Sequence, residues 1–323
     1  MVGLLGSPHR LAFFAGVLML GLSAGWWALV IIARTQGWVG PWHVAPGAAH
    51  AMLMTYGFMP MFFTGFLFTA GPKWLRVAPP AAHDLLPGVA ARVGGWLVFL
   101  VGVHLHPWLA VAGAATATLA LADLARRFAR LLRASTTPDR LHPRLMAAAW
   151  FAGVAWLALG TFGLAGHHEV LVRASMGVAL WAFIAPMFVT AVHRLLPFFG
   201  AAAWPALDAR WPMWLLWTLC TAVLGRAGIT AAETSGEALS RALWGLFGLF
   251  EGAVAVLLFA LALRWARIQR VTIRLIAMFY TGLVWFGIAF ALGAAAHVLR
   301  AVRGDAAPLG LAPLHALAMG FFG

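Results

Sequence analysis

Nine apolar runs, each long enough to cross a bilayer, follow one another along the sequence with only short polar breaks between them. Crossing the hydrocarbon core takes about 20 helical residues at a rise of about 1.5 Å each. Within lipid every backbone N–H and C=O must be paired inside the protein, which leaves only helices or closed barrels. Runs of this length and apolarity specify helices. The sequence therefore predicts an all-α, polytopic transmembrane helix bundle. Its spans fall at 11–33, 47–71, 89–105, 107–125, 145–165, 173–195, 212–231, 239–263 and 272–299, with a tenth beginning near Leu311. Residues 1–323 read as a single integral membrane domain of about ten spans. Charged residues make up 10% of the chain, against about 25% in soluble domains.

The first run follows Arg10 and exceeds the roughly 7–15-residue core of a signal peptide, so it reads as a retained span. With the N-terminus cytoplasmic, 16 of the 22 lysines and arginines fall on the inner side, Arg92, Arg210 and Arg270 among them. Six fall on the outer side, including Arg34, Arg226, Arg300 and Arg303. This asymmetry supports an orientation with the N-terminus inside. The net charge of +13 is spread over these short loops, with no recognition motif and no aromatic–basic platform, so it points to lipid headgroups and not to nucleic acid. No internal repeat is apparent. The segment from Pro313 to Gly323 opens an apolar helix and stops after about ten residues. A half-span leaves backbone groups unpaired in lipid, so the natural chain is expected to continue.

The single cysteine, Cys220, excludes an intrachain disulfide, an iron–sulfur cluster and a thiolate zinc site. Any metal would be held by histidine, methionine or carboxylate. His50 opens the second span, and Leu53, Met54, Gly57, Met61 and Gly65 continue its helix face. Imidazole suits iron and copper, and thioether suits Cu(I). His50 and Met54 are thus candidate metal ligands. The alternative is a helix-end histidine bonded to a carbonyl, with methionines filling core space. Pro60 is expected to kink this span. His297 and His315, near the outer ends of the ninth and tenth spans, lie at a depth similar to that of His50. All three are candidate cofactor ligands if their helices converge. His104 with His106, and His167-His168-Glu169, are weaker candidates in outer turns. His193 and Arg194 close the sixth span before Pro197 and could bind an anion or a propionate, or simply be cations meeting the dipole of a helix C-terminus. Glu251, the one carboxylate near the middle of a span, marks proton handling or a buried partner, with Tyr280 a candidate.

The run His50-Ala-Met-Leu-Met-Thr-Tyr-Gly-Phe58, continuing through Phe63-Thr-Gly-Phe-Leu-Phe-Thr-Ala70 to Pro72-Lys-Trp74, resembles the opening signature of the NnrS family. His193-Arg-Leu-Leu-Pro-Phe-Phe199 and His315-Ala-Leu-Ala-Met-Gly-Phe-Phe-Gly323 resemble two further motifs of that family. The resemblance implies a bacterial inner-membrane protein of about twelve spans that binds haem and copper and acts in the response to nitric oxide or nitrosative stress. It implies a metal site towards the periplasm, with nitric oxide as the small ligand and His50, His193 and His315 as motif histidines. It implies no defined chemical step. The chain departs from the pattern by ending inside the third motif. A competing reading is a transporter or channel for a small solute or metal, with Glu251 coupled to protons.

Overall fold

The structure is a computed structural model that describes residues 3–38, 40–201, 212–268, 274–304 and 308–323. Arg210 and Arg270 lie outside the described residues. Among the described residues there are no strands, and nine helices are long and apolar enough to cross a membrane. They are α1 (Pro8–Thr35), α2 (Pro46–Leu75), α3 (Ala82–Leu105), α4 (Pro107–Ala134), α5 (Leu141–Ala165), α6 (Glu169–Pro197), α7 (Met213–Thr234), α8 (Arg241–Arg267) and α9 (Ile276–Arg303). A shorter apolar helix, α10 (Ala312–Phe321), follows. The protein is a polytopic helical membrane protein.

Helix ends run past the apolar stretches that predicted them. α3 starts at Ala82 instead of 89, and α4 continues to Ala134 instead of 125. Charge does not stop a helix whose backbone bonds continue. Asp123 pairs with Arg126 at 2.5 Å and with Arg127 at 2.6 Å, one turn on, along this polar extension of α4. Proline and a cap set the other end. Pro107 takes the first helical position, where its missing N–H costs nothing. His106 caps α4, its Nδ1 accepting the Trp108 N–H at 3.3 Å.

The chain divides by packing into two compact units, Met1–Met187 and Phe188–Gly323. In the first, α1 packs on α2, α3 and α4 form a long hairpin, and α5 packs on α4 and α6. In the second, α9 packs along α8 and against α10. The α3–α4 hairpin is closed backbone to backbone. A Cβ added at Gly95 would lie 2.8 Å from both the Ala117 nitrogen and the Gly113 oxygen. At Gly102 it would strike the Ala110 backbone, and at Gly113 the Phe99 backbone. Small residues bring helices this close in lipid, where dispersion contacts replace the hydrophobic effect as the driving force.

A local feature recurs along the chain. Among the described residues, three helices widen into a π turn: Leu53–Phe58 in α2, Leu180–Ile184 in α6 and Ala316–Phe321 in α10. These are the second, sixth and tenth helices, four apart in the chain. Pro60-Met-Phe-Phe-Thr64 after the first π turn recurs as Pro186-Met-Phe-Val-Thr190 after the second. The preceding helix presents a glycine each time. A Cβ on Gly16 of α1 would meet Phe62 at 3.0 Å. One on Gly153 of α5 would strike Phe183, and one on Gly282 of α9 would meet Phe321 at 3.7 Å. Those glycines stand in Phe14-Ala-Gly-Val17, Phe151-Ala-Gly-Val154 and Tyr280-Thr-Gly-Leu283. The recurrence is hard to see in sequence because a few small residues and a local backbone geometry carry it, and the spacing between matches varies.

Gly113→Val should destabilise the chain by about 1–3 kcal/mol or more, because rigid backbone blocks the new side chain. Gly94→Ala, with nothing within 4 Å of its Cβ, should be neutral or slightly stabilising. Thermal unfolding of the two variants in detergent checks both.

Candidate functional site

The environment of His50 begins with the backbone of α2. Pro60 has no N–H to give the carbonyl of Tyr56, four residues earlier, and its ring crowds that carbonyl. The helix responds with the π turn over Leu53–Phe58, so the expected kink residue acts through a widened turn. The Tyr56 carbonyl accepts instead from the Arg92 guanidinium of α3. Arg92, expected in an inner loop, is completely buried. It also donates to the Ala117 carbonyl of α4 at 3.4 Å. Among the described residues no carboxylate is paired with it. Its role is to satisfy backbone, not to mark topology. The Tyr56 hydroxyl in turn donates to the Ser175 carbonyl of α6 at 2.7 Å.

His50 lies one turn before this widened segment. Its ring stacks on Trp27 of α1, with centroids 4.3 Å apart and planes 14° from parallel. The Arg34 guanidinium stands 5.9 Å from the Trp27 ring. Nearby, the Trp26 indole N–H donates to Nε2 of His104 at 2.9 Å, and Trp42 lies 4.9 Å from the His104 ring. His43 and His106 face each other at 6.4 Å. The same end of the first unit therefore gathers four histidines and a belt of tryptophans. His104 and His106 do not form one chelating pair, since one accepts from an indole and the other caps a helix.

Met54 is half-buried one turn beyond His50, and Met61 is fully buried. Gly65 serves helix packing, because a Cβ there would lie 2.5 Å from Phe13 of α1. Glu169 pairs with Arg173 at 3.1 Å and so does not join His167 and His168 in a metal-collecting group.

In the second unit, His193 is buried and its Nε2 is 3.3 Å from the Pro212 carbonyl. Arg194 beside it is half-buried. His315 is exposed, with Nδ1 3.0 Å from the Leu311 carbonyl one turn back. His297 has both ring nitrogens engaged by carboxylates: Nδ1 at 2.7 Å from Glu251 and Nε2 at 2.8 Å from Glu233. A metal on His297 would have to displace one of them. Glu251 bonds Arg226 at 2.6 Å as well, so its partners are Arg226 and His297, and not Tyr280. Arg226, expected in an outer loop, lies inside α7.

Arg226 and Glu233 were missed as site residues, although a signal was present. Arg226, Thr230 and Glu233 recur at i, i+4 and i+7, one polar face on an otherwise apolar helix. Among the described residues, no group of three or more His, Cys, Asp or Glu side chains is arranged to hold a metal ion. What α2 does present is one imidazole and one thioether, His50 and Met54, four residues apart in the chain. These donors fit haem iron and copper in kind.

Fold and site together define a multi-pass helical membrane protein with imidazole, indole and thioether groups at the end of its second helix. A family profile described as NnrS protein matches residues 3–323. The chain belongs to the NnrS family. Comparison with curated proteins and with solved structures found no match.

Arg92→Met should cost about 1.5–3 kcal/mol by leaving the Tyr56 carbonyl unpaired. In a Pro60→Ala background the backbone N–H gained at position 60 can serve that carbonyl, and the cost should fall by about 1 kcal/mol. A double-mutant cycle on thermal unfolding measures the coupling.

Proposed function

We propose that this chain is a haem- and copper-binding protein of the bacterial inner membrane that protects against nitric oxide or nitrosative stress. In this reading its N-terminus is cytoplasmic and its metal site faces the periplasm. The observation that carries the proposal is family membership over nearly the whole chain, together with the surroundings of its first motif histidine. His50 is stacked on Trp27 near the cation of Arg34, with the half-buried Met54 four residues further along the same helix.

His50, His193 and His315 are the proposed family-motif ligands, with Met54 a copper donor beside His50. Arg34, near Trp27 on the outer side, would pair with a propionate there, whereas Arg194, at the inner end of α6, would pair with an anion at the opposite face. Haem iron and copper, when bound, supply a centre that takes up nitric oxide and exchanges an electron. The chain's own residues fix the donors. Trp27 holds the His50 ring flat. The π turn and Arg92 set the rotation of α2, and therefore the direction in which Met54 points.

The test is the optical spectrum and metal content of the purified full-length protein. A Soret band and copper are expected, with the Soret band lost or shifted in His50→Ala and His315→Ala. A colourless, metal-free preparation from haem-replete cells would overturn the proposal.

A further inference from the structure

The geometry points to a proton relay, Glu233–His297–Glu251, built across α7, α9 and α8 and independent of any bound metal. It takes up a proton at the end of the helices and delivers it to a carboxylate buried within α8.

Hydrogen-bond bookkeeping at His297 comes first. A neutral imidazole has one N–H donor and one bare acceptor nitrogen, and an ionised carboxylate only accepts. Yet both ring nitrogens lie within hydrogen-bond distance of carboxylate oxygens, Nδ1 to Glu251 Oε2 at 2.7 Å and Nε2 to Glu233 Oε1 at 2.8 Å. With two ionised carboxylates and a neutral ring, one contact would set lone pair against lone pair. The two contacts therefore require one proton more than that state holds. The proton resides on the ring, giving an imidazolium between two carboxylates, or on one glutamic acid beside a neutral ring. Both forms have the same heavy-atom positions and differ by the shift of a proton along bonds already made.

The second observation is the position of the two carboxylates. Glu233 stands next to the last residue of α7, with its side chain 20% exposed. Glu251 is ten residues into α8, about 15 Å along its axis, and 1% exposed. The trio thus has a wet end and a dry end, with the imidazole between them. A proton arriving on Glu233 Oε1 passes to Nε2 as the proton on Nδ1 passes to Glu251 Oε2. One proton enters, one is delivered, and the ring ends with its other nitrogen protonated.

The surroundings hold this line of atoms and balance its charge. Arg226 of α7 binds both carboxylates, Glu251 at 2.6 Å and Glu233 at 2.8 Å. Arg300 of α9 reaches Glu233 at 3.8 Å and lies 4.3 Å from the Trp244 ring. Of these five ionisable groups, two arginines face two carboxylates, so the added proton takes their sum from neutral to +1. Trp244 of α8 stacks on the imidazole at 5.5 Å and 20°, and Phe247 meets it edge-on. Both fix the plane of the ring. Gly293 of α9 makes room for the inner carboxylate, since a Cβ there would lie 2.7 Å from both Glu251 oxygens. A fixed salt bridge needs neither the second carboxylate nor an imidazole held between the two.

The test is infrared difference spectroscopy of the full chain in lipid vesicles, on a change of pH between about 5 and 8 and on transfer to D2O. We expect paired carboxyl and imidazole bands that respond to pH and are absent from both Glu251→Gln and His297→Gln. In Glu233→Gln, deuteration of those bands should slow by about a hundredfold, the lower range of a positioned proton donor's contribution. Glu233→Asp, which keeps a carboxylate, should recover most of the rate. Wild-type spectra that superimpose on those of Glu251→Gln and His297→Gln would show a fixed ion-pair network. An unchanged or faster deuteration in Glu233→Gln would end the relay.

Discussion

Every backbone polar group that enters hydrocarbon must be satisfied by the protein itself. The nine long helices follow from that, and so do their departures from regular geometry. Pro60 takes away the donor for the Tyr56 carbonyl, and the chain answers with a π turn and a guanidinium from the next helix. A buried cation is costly in lipid. Arg92 is tolerated because its donors meet backbone oxygens of α2 and α4. The same interaction sets the face that α2 turns towards its neighbours, and His50 and Met54 lie on that helix.

The π turns of α2, α6 and α10 tie the family motifs to one architectural element. His50 stands just before the first turn and His315 directly before the third, while His193 follows the second on the same helix. Each of these helices is preceded by one that offers a glycine to it. A chain built this way places chemically useful residues where backbone geometry is already irregular. Extra carbonyl direction and helix rotation are available there.

Among the described residues, two arrangements of charge inside the bundle stand out. Arg92 answers backbone. Arg226, Glu233, Glu251, His297 and Arg300 answer one another in the second unit. The second arrangement has a titratable ring at its centre, a partly exposed carboxylate on one side and a buried one on the other. Intramembrane charges of this sort are expensive, and by default they mark function.

The number, order and approximate limits of the spans were legible from apolar run length, because the bilayer fixes the length a helix needs. Which residue types could hold a metal followed from having one cysteine and many histidines and methionines. The first family motif was legible for the same local reason, since His50 through Phe58 is contiguous. Arg92 and Arg226 read as loop charges because a sequence gives their hydropathy but not the groups they meet. Tyr280 seemed the nearest partner for Glu251, whereas Arg226 and His297, on two other helices, are the actual ones. Local properties of the chain, namely helix length, a missing proline N–H and donor chemistry, belong to the sequence alone. Which carbonyl receives Arg92, which carboxylates flank His297 and which indole carries His50 depended on the rotation and approach of neighbouring helices, and only packing in three dimensions decided that.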